Sequence, residues 1–165
     1  MFETPVHSGL PKAASYEELT RSLAALVEGE TDALANLANA TSLLANSLDR
    51  INWCGFYLMR GEDLVLGPFQ GKPGCVRIRV GKGVCGAAAE RRQTVVVPDV
   101  SQFPGHIACD PASRSEIAVP VIENDILRGV LDVDSPEIGR FDEEDRAGLE
   151  KFVAALTPLV VWGRL

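Results

Sequence analysis

No two cysteines in this chain form a C-x-x-C pair, and only two histidines accompany the four cysteines. Local zinc-type ligand spacing is therefore absent. Cations are scarce: 16 Lys and Arg against 23 Asp and Glu give 16 − 23 = −7. That balance argues against nucleic acid as a partner, because phosphate binding needs clustered positive charge. Long apolar runs are also missing. No stretch approaches the ~18 apolar residues of a membrane span, and the longest patch, LTPLVVW, is interrupted by Pro158. The start, MFETPVHSGL, lacks a basic segment followed by an apolar run, so no secretory leader is expected and the cytoplasm is the expected compartment. There is no internal repeat, linker or low-complexity segment. What remains, 46% hydrophobic and 24% charged residues over 165 positions, fits one domain able to bury a sizeable core.

Ser15 and Glu18 have capping-box spacing and predict a first helix ending near Gly29. Leu34, Leu37, Ala38, Thr41, Leu44, Ala45 and Leu48 follow helical spacing, predicting a second helix from about Asp32. The pattern then changes to short β-branched and aromatic runs punctuated by Gly and Pro: INWCGFYLM, LVLGPFQ, CVRIRV, TVVVPDV, EIAVPVI and ILRGVLDVD. GKGVCGAAAERRQ interrupts them with a glycine-rich turn and a short helix. FDEEDRAGLEKFVAAL closes the series as a helix capped by Asp142, with Leu149, Phe152, Val153 and Leu156 as its apolar face. The expected fold is α/β in the α+β sense, a single sheet of about six strands with helices packed on it.

Alternation sorts the last two strands into faces. Ile117, Val119 and Val121 share one face with Leu131 and Val133, while Glu116, Asp132 and Asp134 share the other. A hairpin with a three-residue loop over residues 123–125 would set Glu116 opposite Asp132. The plainer reading of these acids is a solvated sheet face neutralised by Arg114 or Arg128. The alternative is a carboxylate cluster that holds an ammonium group and donates a proton through a member with raised pKa. Trp53 and Tyr57 project from one face with Gly55 between them; they are either plain core or a rigid slot for a small apolar group.

The thiols differ in setting. Cys54 alternates within a strand as a buried hydrophobe. Cys85 stands at the expected start of the short helix, where the positive dipole end favours a thiolate. Cys75 lies in the turn segment GKPGC, and Cys109 has His106 three residues before it and Asp110 beside it. A histidine there could help ionise the thiol. Three of four cysteines in turns or loops point to thiol–disulfide exchange.

These residues together resemble a known family. GPFQGKPGCVRIRVGKGVCGAAAE, FPGHIACD, SEIAVPV and GVLDVDSP are similar to the free methionine-(R)-sulfoxide reductases, single-domain enzymes of GAF fold. The resemblance assigns residues 15–165 to the GAF domain and residues 1–14 to an N-terminal extension. It implies that Cys109 is the nucleophile, that Cys75 resolves its sulfenic acid to a disulfide, and that thioredoxin or another dithiol restores the thiols without a bound cofactor or metal. The Cys85 position has also been proposed as catalytic in the family. Glu116 would be the proton donor, Asp132 and Asp134 would hold the substrate's α-ammonium, and Trp53 and Tyr57 would enclose its S-methyl group. The substrate carboxylate is expected to meet backbone N–H groups of the 110–115 loop. A homodimer is also implied. The competing expectation is a GAF-type redox-sensing or ligand-binding module that does not turn over.

Overall fold

The computed structural model describes residues 10–165, so most of the expected N-terminal extension lies outside the described residues. The first helix, α1 (Lys12–Leu26), starts a turn earlier than the Ser15–Glu18 pattern suggests. Pro11 sits just before it with φ −54°, already set for a helical start. The Ser15 hydroxyl donates back to the Pro11 carbonyl at 3.3 Å instead of capping. The second helix, α2 (Ala33–Ser47), is capped as expected, Asp32 accepting from the Ala35 N–H at 2.8 Å. Its buried face is rotated from the expected one: Leu34 is 57% exposed, and Ala33, Asn36, Leu37, Ala40, Leu43 and Leu44 face inward. Asn36 causes part of this turn, since its amide donates to the carbonyls of Glu30 and Leu159 and can be buried only there.

Six strands follow: β1 (Trp53–Arg60), β2 (Asp63–Gly71), β3 (Arg77–Arg79), β4 (Val95–Val97), β5 (Ser115–Glu123) and β6 (Ile126–Ser135). Between β3 and β4 runs α3 (Gly83–Arg91), and α4 (Glu143–Leu156) follows β6. The strands form one sheet in the order β3-β2-β1-β6-β5-β4, with every pairing antiparallel. Among the described residues no helix is long and apolar enough to cross a membrane.

The alternation of the strands gives the sheet two dry faces. Cys54, Phe56, Ile117, Val119, Leu131 and Val133 pack against α1, α2 and α4. Each fully buried Leu, Ile or Phe there contributes roughly 1.5–3 kcal/mol. A buried ion pair ties this layer together. Arg140 meets Asp145 at 3.0 Å, both nearly sealed from solvent, and the Tyr16 hydroxyl of α1 donates to the same carboxylate at 2.8 Å. The opposite face carries Trp53, Tyr57, Ala118 and Val130 under α3 and the segment around Val100.

The β5–β6 hairpin corrects the expected register. Its loop has two residues, Asn124 and Asp125, both in the left-handed region at φ 48° and 61°, as a tight hairpin demands. A bulge between Val121 and Ile122 then shifts the ladder, so Glu116 pairs with Asp134 and Ala118 with Asp132. The slip from expectation is two residues, which preserves every side chain's face.

Candidate active site

The second face of the sheet carries three buried acids. Glu116 is 6% exposed, Asp132 6% and Asp134 7%, so a solvated, arginine-neutralised face is excluded. Arg128 pairs with Glu123 instead, at 2.8 Å, and Arg114 is exposed. Burial raises each carboxyl, because a charged carboxylate loses its water and gains little in return. Glu116 is pushed up to about 8 by burial first and then by the charge of Asp134. Asp132 and Asp134 also rise well above the carboxylate range, from burial and from Glu116 and Asp132 respectively, with the Ser113 hydroxyl partly offsetting the rise at Asp134. Glu116 is therefore mainly a neutral acid at pH 7.

Cysteine placement follows from the same packing. Cys75 and Cys109 are joined by a disulfide, with Cα atoms 5.3 Å apart. Cys54 is buried on the helix side as expected. Cys85 departs from its expected character. It lies in the first turn of α3 but is buried, and its thiol donates to Glu116 Oε1 at 3.8 Å. Burial, with Asp132 and Glu116 beside it, raises this thiol well above its ordinary pKa. The helix terminus does not outweigh that desolvation, so Cys85 is held as a thiol.

Cys85, Cys109, Glu116, Asp132 and Asp134 line one cavity of about 20 Å³, together with His106, Asp110, Ser113, Ile78, Val84, Ile107 and Gly83. Trp53 and Tyr57 do not line it. They are buried, and Trp53 stacks on Tyr57 at 5.8 Å and on Phe69 at 5.5 Å. The space expected over Gly55 is filled by these rings: a Cβ there would fall 2.7 Å from the Trp53 ring and 2.5 Å from Phe69 Cβ. The two aromatic heads grip the Cys75 segment. Trp53 Nε1 donates to the Lys72 carbonyl at 3.0 Å, and the Tyr57 hydroxyl donates to the Cys75 carbonyl at 3.1 Å. Gly74 lies over both, with room for a Cβ only at 3.3 Å from the Trp53 ring and 3.4 Å from the Tyr57 oxygen. Residues 72–75 thus lie across the aromatic wall, with Cys75 joined to Cys109.

Other side chains complete the site in ways the sequence did not display. His106 Nε2 stands 3.6 Å from Glu116 Oε2, and burial lowers its pKa, so it is a neutral neighbour of the acid. Asn52 reaches across to Asp110 and Ser113, donating at 3.1 and 3.0 Å. Asp110 in turn accepts from the Ala112 N–H at 2.9 Å, a contact that holds its pKa below the usual range. In this structure three of the loop N–H groups expected to face a ligand are engaged within the fold: Ala112 and Ser113 donate to Asp110, and Arg114 donates to the Ser135 carbonyl. The position of Asn52 just before β1 is the one sequence cue for this bracing, because a buried amide needs partners.

Comparison with known proteins places this geometry. Residues 31–159 match the family model described as GAF domain. The free methionine-R-sulfoxide reductase of Escherichia coli is 53% identical over 145 residues, 88% of each chain. The Saccharomyces cerevisiae protein of the same name is 42% identical over 163 residues, covering 94% of this chain and 91% of the yeast one. The X-ray structure of free methionine-R-sulfoxide reductase from Neisseria meningitidis in complex with its substrate superposes with a TM-score of 0.91 at 42% identity, over 98% of both chains. With this likeness running through nearly all its length, the chain belongs to the free methionine-R-sulfoxide reductase family of GAF domain proteins.

Proposed function

We propose that this protein reduces free L-methionine-(R)-sulfoxide to L-methionine, with Cys109 as nucleophile, Cys75 as resolving thiol, and thioredoxin or another dithiol as the external reductant. The observation that carries it is the convergence of Cys109 and a buried, protonated Glu116 on one cavity. The names of the bacterial and fungal relatives support the substrate class.

The chemistry follows from the residue types. Sulfoxide oxygen leaves only when protonated, so an acid must face it while a thiolate attacks sulfur. Glu116 supplies the proton. Sulfoxide and thiol become thioether and sulfenic acid on Cys109; the Cys75 thiol then displaces water from that sulfenic acid and forms the disulfide. An external dithiol reduces the disulfide by exchange. Asp132 and Asp134 take the substrate's α-ammonium, a cation that relieves their mutual crowding as they ionise. A peptide bond at that nitrogen removes the charge, which accounts for a preference for the free amino acid.

The cavity of about 20 Å³ has room for about one water, so an amino acid cannot enter the disulfide form. Reduction releases residues 72–75 from the aromatic wall, and Trp53 and Tyr57 then become available to enclose the S-methyl group. A GAF-type redox sensor would use the same disulfide but would have no need of a protonated acid at the thiol; the acid favours turnover. The test is to supply the reduced protein and a dithiol with free R sulfoxide, free S sulfoxide and a peptide-bound R sulfoxide. Methionine should form from the first alone; no methionine from free R sulfoxide would reject the proposal.

A further inference from the structure

Cys85, Glu116 and Asp132 each offer one ligand atom, all within 4.8 Å of one another, and all three residues are buried. They arrive from α3, β5 and β6, which is why no local spacing in the sequence betrays them. Two features set the trio apart from an ordinary acid cluster. One donor is sulfur. Another, Asp132 Oδ1, is buried with no hydrogen-bond partner in a residue only 6% exposed. This orphaned acceptor belongs to one of the three residues whose ligand atoms cluster.

The spacing fits a particular class of ion. Metal–sulfur and metal–oxygen bonds of about 2.3 and 2.1 Å at a tetrahedral angle separate the two donors by roughly 3.6 Å. Cys85 Sγ and Glu116 Oε1 stand 3.8 Å apart. A cavity of about 20 Å³ has room for an ion and little else. Mg²⁺ and Ca²⁺ need six or more oxygen ligands and several waters, whereas a thiolate with two carboxylates and one open position suits Zn²⁺ or Cd²⁺.

We propose that, in its disulfide form, the protein binds one borderline-soft divalent cation, Zn²⁺ foremost, through Cys85, Glu116 and Asp132. The thiol proton and the protons held by the two carboxyls leave to solvent as the three metal bonds form. One consequence rests on the proposed reductase function: the ion occupies the acid that protonates sulfoxide and a carboxylate that holds ammonium, so ion and amino acid exclude each other. Binding itself does not depend on that function.

The test uses Co²⁺ as a spectroscopic probe and Zn²⁺ as its competitor on the full chain with Cys75 and Cys109 oxidised, which leaves Cys54 and Cys85 as the free thiols. One equivalent of Co²⁺ should produce a thiolate-to-metal charge-transfer band that Zn²⁺ displaces. Cys85→Ser should abolish the band, Asp132→Asn should weaken binding at least tenfold, and Cys54→Ser should leave both unchanged. Absence of the band at millimolar Co²⁺, or its persistence in Cys85→Ser, overturns the site. Should Cys85→Ser fail to fold, the isosteric Asp132→Asn decides alone, and unweakened binding there overturns it. Because the readout needs no substrate, a missing band leaves the proposed reductase activity standing, and a failed turnover assay leaves the metal site standing.

Discussion

Glu116 faces Asp134 across the β5–β6 ladder, so two buried carboxyls stand abreast on the sheet face that also bears Asp132. Like charges so placed repel, and the site's chemistry follows from that crowding. All three carboxyls are pushed above the ordinary carboxylate range, and the set as a whole is ready for a cation.

The pH profile should report this acid. Glu116 acts in its protonated form and holds its proton to about 8, so kcat/KM should be lost with a slope of one as pH rises through about 8. Glu116→Gln should remove that limb and lower the rate by about 10²–10⁴. A descending limb near pH 5, where an ordinary carboxylate titrates, would show that Glu116 is not the donor.

Asp134→Ala should act on binding. Losing a charge-assisted contact to ammonium, worth about 1.5–3 kcal/mol, raises KM roughly 10- to 100-fold while kcat changes less. An unchanged KM would put this aspartate outside the substrate's reach.

The two loop thiols should separate kinetically. Cys109→Ser should abolish methionine formation, because no sulfur remains to receive oxygen. Cys75→Ser should still release one methionine per protein and then stall as a sulfenic acid, detectable by a sulfenic-acid trap. Full turnover by Cys109→Ser would transfer the nucleophilic role to Cys85.

Much of this arrangement is legible in the sequence. Period-two alternation puts Glu116, Asp132 and Asp134 on one face, and any even register preserves that. The register itself is not legible, because a bulge at Val121 and Ile122 arises from packing and leaves no local motif. The setting of Cys85 is not legible for a similar reason. The helix start is visible in GKGVCG, whereas the two carboxyls that meet it come from strands more than 30 residues away. The inward turn of Asn36 and the filling of the Gly55 slot by the Trp53 ring are likewise tertiary facts.

Stability should hinge on a different pair. Asp145→Asn leaves Arg140 buried with a weakened partner and costs Tyr16 its charged acceptor. Breaking such a pair from one side costs about 3–5 kcal/mol, readable as a lower urea midpoint at unchanged m-value. A change within 1 kcal/mol, a range typical of exposed pairs, would contradict the burial seen here.

The most direct measurement mixes fully reduced protein with one equivalent of free methionine-(R)-sulfoxide in the absence of any other reductant, then maps thiols by alkylation and peptide mass. One equivalent of methionine should appear, with Cys75 and Cys109 joined and Cys85 still alkylatable after unfolding. No methionine, or methionine accompanied by a disulfide that includes Cys85, would contradict the assignment of Cys109 and Cys75.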